Sequence, residues 1–382
     1  MKIIFATIYP VKIPFTELFS HSLHSHMFSD SIILKLTTDK GITGYGEGVA
    51  RPYVTGETVE KSLDYIQKVL LPVIINKTLD NIDLNKPFNF LLSINKLLNI
   101  NESSDIIKWN AAKTAVELAL IDCHLKEQKI SLNHILPNDI NEVIYSGVIS
   151  SGTIEKTEKM AKQMKALDLK YIKIKVGIKD DYKRIAIIRE IMNPSVSLRL
   201  DANGAFNLKT ALDFITSISE FNIDCIEQPI PKGNISELSK LKLDSQIPIM
   251  VDESIITIDD AKELIENDAC DYFNLRLSKC GGIYNTLMIA EIAKKANIGL
   301  QLGCQVGETA ILSAAGRFVA AYLNNLKFIE GSYGKYLLSE DVSRNDIRFG
   351  KGGKAPTLNA NGLGIDIMED CLIKYATKII EL

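Results

Sequence analysis

Between Tyr171 and Gly177 the chain reads YIKIKVG. Apolar residues alternate with Lys173 and Lys175, the period-2 pattern of a strand with two faces. A surface strand would look the same. What decides the fold is the spacing of the polar residues that end this run and those after it. Lys175, Asp201, Glu227, Asp252 and Lys279 follow one another at intervals of 26, 26, 25 and 27 residues. From about residue 140 there are eight short apolar runs: VIYSGVIS, YIKIKVG, SLRLDANG, DCIEQP, IPIMVDES, YFNLRLSKCGG, IGLQLGCQ and KFIEGS. Helical stretches separate them. Such alternation implies parallel strands joined by crossover helices. Eight units suggest a (β/α)8 barrel, or a close variant in which one helix is replaced. The five spaced residues then ring the mouth at the strand C-termini, where barrel enzymes place their active sites.

Upstream, residues 1 to about 125 have a different texture. KIIFATIYPV, SIILKLTTD and ITGYGEGVA read as strands, the first of them an edge strand. TGETVEKSLDYIQKVLLPVII and DIIKWNAAKTAVELALIDCHLKEQK read as amphipathic helices, with TGET as a capping box. The expected organisation is an α+β capping domain at 1–125, a barrel at 126–354, and a C-terminal return at about 355–382 that docks on the first domain.

Composition narrows the class. The chain has 382 residues, 46% hydrophobic and 24% charged, with a net charge of -3. That balance gives no nucleic-acid signal; the lysines of KMAKQMKALDLK read as a solvated helix face. The six cysteines form no CxxC pair. Scattered in apolar runs, they fit free thiols in a reducing compartment. The N-terminal apolar run is short and broken by Pro10, unlike a signal peptide. No run approaches the ~18 residues of a membrane span. A cytoplasmic protein is expected.

The ring carries the chemistry. One acid at a strand end could merely cap the next helix. Three in succession, converging on one mouth, repel one another unless a cation lies among them. Asp201, Glu227 and Asp252 make an all-oxygen set suited to Mg²⁺. Lysines then flank that cation from two sides. A lysine near other cations gives up its proton more readily. A pair on opposite sides of a substrate carbon suits removing a proton from one face and returning it on the other.

On these residues the sequence resembles the enolase superfamily, muconate-lactonizing subgroup. The motifs are KIK at 173–175, DANG at 201–204, EQP at 227–229, DES at 252–254 and SKCGG at 278–282, with YVTGET at 53–58 and GLGID near the C-terminus. The resemblance covers essentially the whole chain. It implies a (β/α)7β-like modified TIM barrel with an N-terminal capping domain. It implies that Asp201, Glu227 and Asp252 bind Mg²⁺, that Lys175 and Lys279 are the general acid/base pair, and that Lys173 touches the substrate carboxylate. Asn203 and Glu253 match nearby polar positions.

Specificity is expected at the seventh and eighth strand ends, through Gln305, Glu308, Glu330 and Ser332, and in the loop near residues 15–30. Members with dipeptide substrates carry Asp-x-Asp at the eighth strand for the substrate ammonium; here the text is IEGSYG. Between Lys12 and Lys35 the loop has no Lys or Arg, but it has Phe15, Leu18, Phe19, Met27 and Phe28. Phe19 is the candidate contact, and an apolar or aromatic epimerised residue is expected. His21, His24 and His26 lack rigid metal-ligand spacing and read as a polar flap. KCGG lacks a P-loop pattern and reads as a tight turn. The expectation is an Mg²⁺-dependent dipeptide epimerase, an isomerase moving a proton at the α-carbon of the C-terminal residue. N-acylamino acid racemase, muconate-type cycloisomerase and o-succinylbenzoate synthase are the alternatives. A homo-oligomer acting on a small molecule is expected, with no nucleic-acid or membrane partner.

Overall fold

The computed structural model describes residues 1–20, 25–79, 86–99 and 107–382, without the side chains of residues 18–20, 25, 26 and 87. Three strands open the chain: β1 (Ile3–Ser20), β2 (Ser25–Thr38) and β3 (Thr43–Gly48), paired antiparallel in that order. The expected loop near residues 15–30 is therefore a two-stranded ribbon over its described part, with a register shift between Pro14 and Phe19. The helical run after it spans Val59 to Ile74, with a π-turn at Ile66–Leu70 just before Pro72. Proline supplies no N–H for the regular ladder, and a widened turn absorbs that loss. The N-cap is Thr58, whose side chain accepts from Lys61 N at 3.2 Å. TGET is thus not a reciprocal capping box: Glu57 reaches across to Ala111 N, 2.9 Å, and Ala112 N, 3.1 Å, at the start of another helix.

That helix, Asn110–Gln128, departs from expectation. It is not amphipathic in its setting: every residue from Asn110 to Leu125 is buried, because the N-terminal sheet covers one side and the barrel the other. Its charged residues are engaged. Glu117 accepts from Ile283 N at 2.5 Å and Tyr284 N at 3.2 Å, at the head of a barrel helix. Gly282 makes that approach feasible, since a Cβ there would lie 2.0 Å from Glu117 Oε2. From β3, Glu47 does the same for another barrel helix, accepting from Thr309 N (2.9 Å), Thr309 Oγ1 (2.7 Å) and Leu312 N (3.1 Å). Helix N-termini favour negative charge. Burial nevertheless prevails over these bonds and pushes both carboxyls up to about 7.

After a short β4 (Glu142–Ile144) come eight strands in one parallel sheet, ordered sequentially. They are β5 (Gly147–Ile149), β6 (Tyr171–Lys175), β7 (Ser197–Asp201), β8 (Ile223–Glu227), β9 (Ile249–Val251), β10 (Tyr272–Leu275), β11 (Gly299–Leu302) and β12 (Phe328–Ile329). The sheet curls until Ser146 N, beside β5, donates to Ile329 O of β12 at 2.8 Å. Helices follow the first seven strands, the last of them being Ala310–Leu323. After β12 only two 3-10 turns, Gly334–Tyr336 and Lys351–Gly353, precede β13 (Lys354–Pro356), which pairs with β4. The fold is the expected (β/α)7β-like barrel with a cap. Where the eighth helix would lie, buried Arg317 stitches irregular chain together, donating to Ser332 Oγ at 2.9 Å, Pro356 O at 3.2 Å and Ile347 O. Irregular backbone needs such donors when it is buried.

The barrel floor is apolar, built from Cys225, Met250 and Phe328 with Tyr171 and Tyr272 against them. At the C-terminus, β14 (Ile380–Glu381) pairs with β1, so β1 has a neighbour on both sides and is not an edge strand. All six cysteines are free thiols. Among the described residues no helix is long and apolar enough to cross a membrane.

Candidate active site

The register of the sheet assembles the mouth. Lys175 pairs across to Asp201, and Asp201 to Glu227. Asp252 follows β9 directly, and Lys279 arrives on the short helix Leu277–Cys280 after β10. All five are buried, as is Lys173. Lys175 Nζ donates to Asp201 Oδ2 at 2.6 Å and to Asn203 Oδ1 at 2.9 Å. Lys173 Nζ lies 2.8 Å from Asp201 Oδ2, 2.9 Å from Glu227 Oε2 and 3.2 Å from Glu330 Oε1. Lys279 Nζ donates to Asp252 Oδ1 at 2.8 Å and to the carbonyls of Asp252 and Asn274, both at 2.6 Å. These contacts form two ionic groups along the mouth, Lys175–Asp201–Lys173–Glu227 and Asp252–Lys279, which Arg276 joins into one arc.

Four members of this network were not singled out by sequence. Arg276 bridges Asp252, Glu227 Oε1 (3.6 Å) and Gln305 Oε1 (3.2 Å). Asn274 and Gln301 donate to Glu227 at 2.8 and 3.3 Å. Arg199 donates to Glu330 Oε1 at 2.5 Å and lies over the Phe328 ring, 4.5 Å from its centroid. The signal was present. Arg199 precedes Asp201 by two, as Lys173 precedes Lys175, and NLRL and LQL alternate in the same way.

Burial shapes the charges. Buried among acids, Lys173 would be pushed down by desolvation, but Asp201, Glu227 and Glu330 together hold it well above the usual lysine value. Desolvation would raise Asp201, yet Lys173 and Lys175 hold it far below the usual range. Glu227 goes the other way, pushed up to about 7 by burial and then by the Asp201 charge. Among the described residues no three acids, histidines or cysteines close on one point as a finished cage; Lys173 and Arg276 bridge the carboxylates instead. The donor chemistry nonetheless fits a hard divalent ion. Three carboxylates share one mouth, and the buried oxygens Glu253 Oε2, Asn274 Oδ1 and Gln301 Oε1 around them have no hydrogen-bond partner among the described residues.

A cavity of about 580 Å³ opens beside this arc. Lys173, Lys175, Arg276, Gln305, Glu308 and Glu330 line its polar end, and Met160, Met164, Leu167, Leu338 and Phe349 line its apolar end. Glu308 is pushed up to about 8 by burial and by Glu47. Glu330 lines the cavity, but its carboxylate is committed to Arg199 and Lys173, and these two cations outweigh desolvation to hold it below the usual range. Ser332 is buried with its Oγ bonded to Arg317. Neither group is free to receive an ammonium.

Three of the apolar side chains of the ribbon are described. Phe15 packs on the loop after β11, where a Cβ on Gly307 would meet its ring at 2.9 Å. Met27 and Phe28 are exposed. Among the described residues of the ribbon, Thr16 and Glu17 line the cavity. The side chains of Leu18, Phe19 and His26, and residues His21 and His24 entirely, lie outside the described residues.

Comparison with known proteins places this site. Residues 156–371 match the enolase C-terminal domain-like family, and residues 4–136 match the N-terminal domain of mandelate racemase / muconate lactonizing enzyme. The chain belongs to this enolase-like family. Within it, the N-succinyl-L-Arg/Lys racemase of Bacillus cereus is 31% identical over 97% of both chains. The hydrophobic dipeptide epimerase of Enterococcus faecalis is 32% identical over 82% of this chain and 85% of its own. A dipeptide epimerase from Cytophaga hutchinsonii, solved with Mg and D-Ala-L-Val, superposes with a TM-score of 0.87 over 100% of both chains at 27% identity. This enolase-family member is an isomerase of the racemase and epimerase kind, acting on a small molecule.

Proposed function

We propose that the protein inverts the α-carbon of an N-acylated, apolar amino acid by a 1,1-proton transfer. The observation that carries this reading is the arc itself: two buried lysines, Lys175 and Lys279, at opposite ends of three carboxylates. Asp201, Glu227 and Asp252 would hold Mg²⁺, supported by the metal in the Cytophaga relative. Such an ion stabilises negative charge that develops on the substrate carboxylate. Lys173 would hold that carboxylate from the side. One lysine takes the α-proton and leaves an enediolate; the other delivers a proton to the opposite face.

The acyl group follows from the eighth strand. With Glu330 and Ser332 already bonded, no eighth-strand acid is left for a free ammonium, which favours an N-acylamino acid. The apolar end of the cavity favours uncharged, bulky groups. An apolar dipeptide is the second reading, favoured by the Enterococcus faecalis relative and by Glu17 at the cavity wall, a carboxylate able to meet an ammonium. A screen in D₂O decides. N-acetyl, N-succinyl and aminoacyl derivatives of the same apolar residues are incubated with Mg²⁺-loaded protein, and α-deuterium is read by mass spectrometry. Deuterium with inversion in the N-acetyl derivatives supports the proposal; a lactone or loss of water in place of exchange contradicts it.

A further inference from the structure

The order of strands around the mouth fixes directions on the substrate. If Lys175 and Lys279 take the two faces of the α-carbon, the carboxylate points to the acids on β7, β8 and after β9, which lie between them on one arc. The remaining substituents face the opposite arc, formed by β11, β12 and β5, where the cavity lies. On that arc stands Gln305, 2% exposed and lining the cavity. Its orientation is not free. Arg276 can only donate, so the guanidinium at 3.2 Å must face the carboxamide oxygen. The amide nitrogen is then turned from Arg276, and it has no hydrogen-bond partner among the described residues. A buried donor without an acceptor is unfavourable, and a bound acceptor relieves that cost.

Resting on the reaction proposed above, we infer that Gln305 reads the carbonyl oxygen of the substrate's N-acyl group through its Nε2–H, with Arg276 as the positioning residue that aims it. The ligand class is therefore one with a neutral carbonyl next to the α-substituent. Charge has no part in this contact, so an alkyl substituent of equal size loses it. The Gln305 carboxamide touches none of the three acids proposed to hold Mg²⁺, so changes at Gln305 act on the acyl arm, whereas Arg276 also pairs with Asp252 and Glu227 and its replacement is read at saturating Mg²⁺.

The test uses two ligands that share one carboxylate, have a neutral acyl or alkyl arm and differ only in that carbonyl: O-acetyl- and O-ethyl-3-phenyllactate, titrated calorimetrically into the Mg²⁺-loaded full chain. The wild type binds the acetyl compound about tenfold more tightly, the size of one neutral hydrogen bond. Gln305→Leu and Gln305→Glu erase that preference while Mg²⁺ affinity stays at the wild-type value. Arg276→Met erases it too, and the double variant Arg276→Met/Gln305→Leu loses no more, which a merely structural role of Arg276 would not produce. Equal binding of the two ligands by the wild type, failure to bind either, or a preference that survives in Gln305→Leu overturns the inference. Parallel α-deuteration of N-acetylphenylalanine separates the two proposals: an intact acetyl preference with no deuteration refutes the reaction and not the role of Gln305.

Discussion

The two arcs of the barrel mouth are built on different principles. From β6 to β10, each functional group sits at or just after the end of its own strand, and sheet register alone brings Lys175, Asp201 and Glu227 side by side. From β11 through β12 to β5, groups come from loops, a missing helix and the N-terminal ribbon, and they meet only through tertiary contacts. The first arc reads directly from residue spacing; the second does not. The difference separates chemistry from selectivity: a chain can change what it accepts on the loose arc without disturbing the fixed one.

The sharpest way to break the comparison is to strike the fixed arc. Glu227→Gln removes a carboxylate held by Lys173, Asn274 and Gln301. Racemisation should fall by about 10⁴-fold or more. Chelation of the wild type should do the same, with recovery on adding Mg²⁺, both followed by polarimetry. A loss confined to KM would place Glu227 in substrate binding instead.

Across the two arcs, Arg199→Met on β7 leaves Glu330, just after β12, buried with fewer counter-charges. Removing one partner of a buried ion pair costs about 3–5 kcal/mol. Urea unfolding should show that loss as a lower midpoint at unchanged slope.

A smaller effect tests the seam between cap and barrel. Glu47 and Glu117 are held near about 7 in the fold, against 4.5 ordinarily. Between those values the folded state binds more protons than the unfolded chain. Stability is therefore fully present below pH 4.5 and declines as pH rises through 7, by roughly 2–3 kcal/mol per group. The melting temperature should drop from pH 5.5 to pH 8, and Glu117→Gln should flatten that slope. A melting temperature that rises over the same range would contradict the assignment.

The mildest change fills the cavity. Met164→Trp should raise KM about tenfold for bulky acyl groups and spare N-acetyl substrates. Equal KM changes for both would mean that the acyl arm lies elsewhere.

How much was legible varies with the kind of contact. The fold and the ring came from apolar runs and a 26-residue step, which are local patterns repeated. Arg199, Asn274 and Gln301 obey the same alternation but sit inside their strands, and Arg276 sits between the end of β10 and Lys279, so none has a run-ending position to mark it. The helix Asn110–Gln128 has an amphipathic text but two covered faces, since its charged residues satisfy backbone donors of the neighbouring unit. Glu330 looked available because nothing in IEGSYG announces Arg199, 131 residues away. Met160, Met164 and Phe349, which nothing in the text of the chain marks as a group, line the cavity because tertiary contacts bring them together, while the side chains of Leu18 and Phe19 lie outside the described residues.

The central claim is that YIKIKVG and SKCGG each supply one base, on opposite faces of one carbon. Single-lysine variants in D₂O test it most directly. With each enantiomer of N-acetylphenylalanine supplied separately, Lys175→Ala and Lys279→Ala should both abolish racemisation. Each should still exchange the α-hydrogen of one enantiomer, and the surviving enantiomer should be opposite in the two variants. Loss of exchange for the same enantiomer in both, or racemisation that persists in either, would contradict the two-base account.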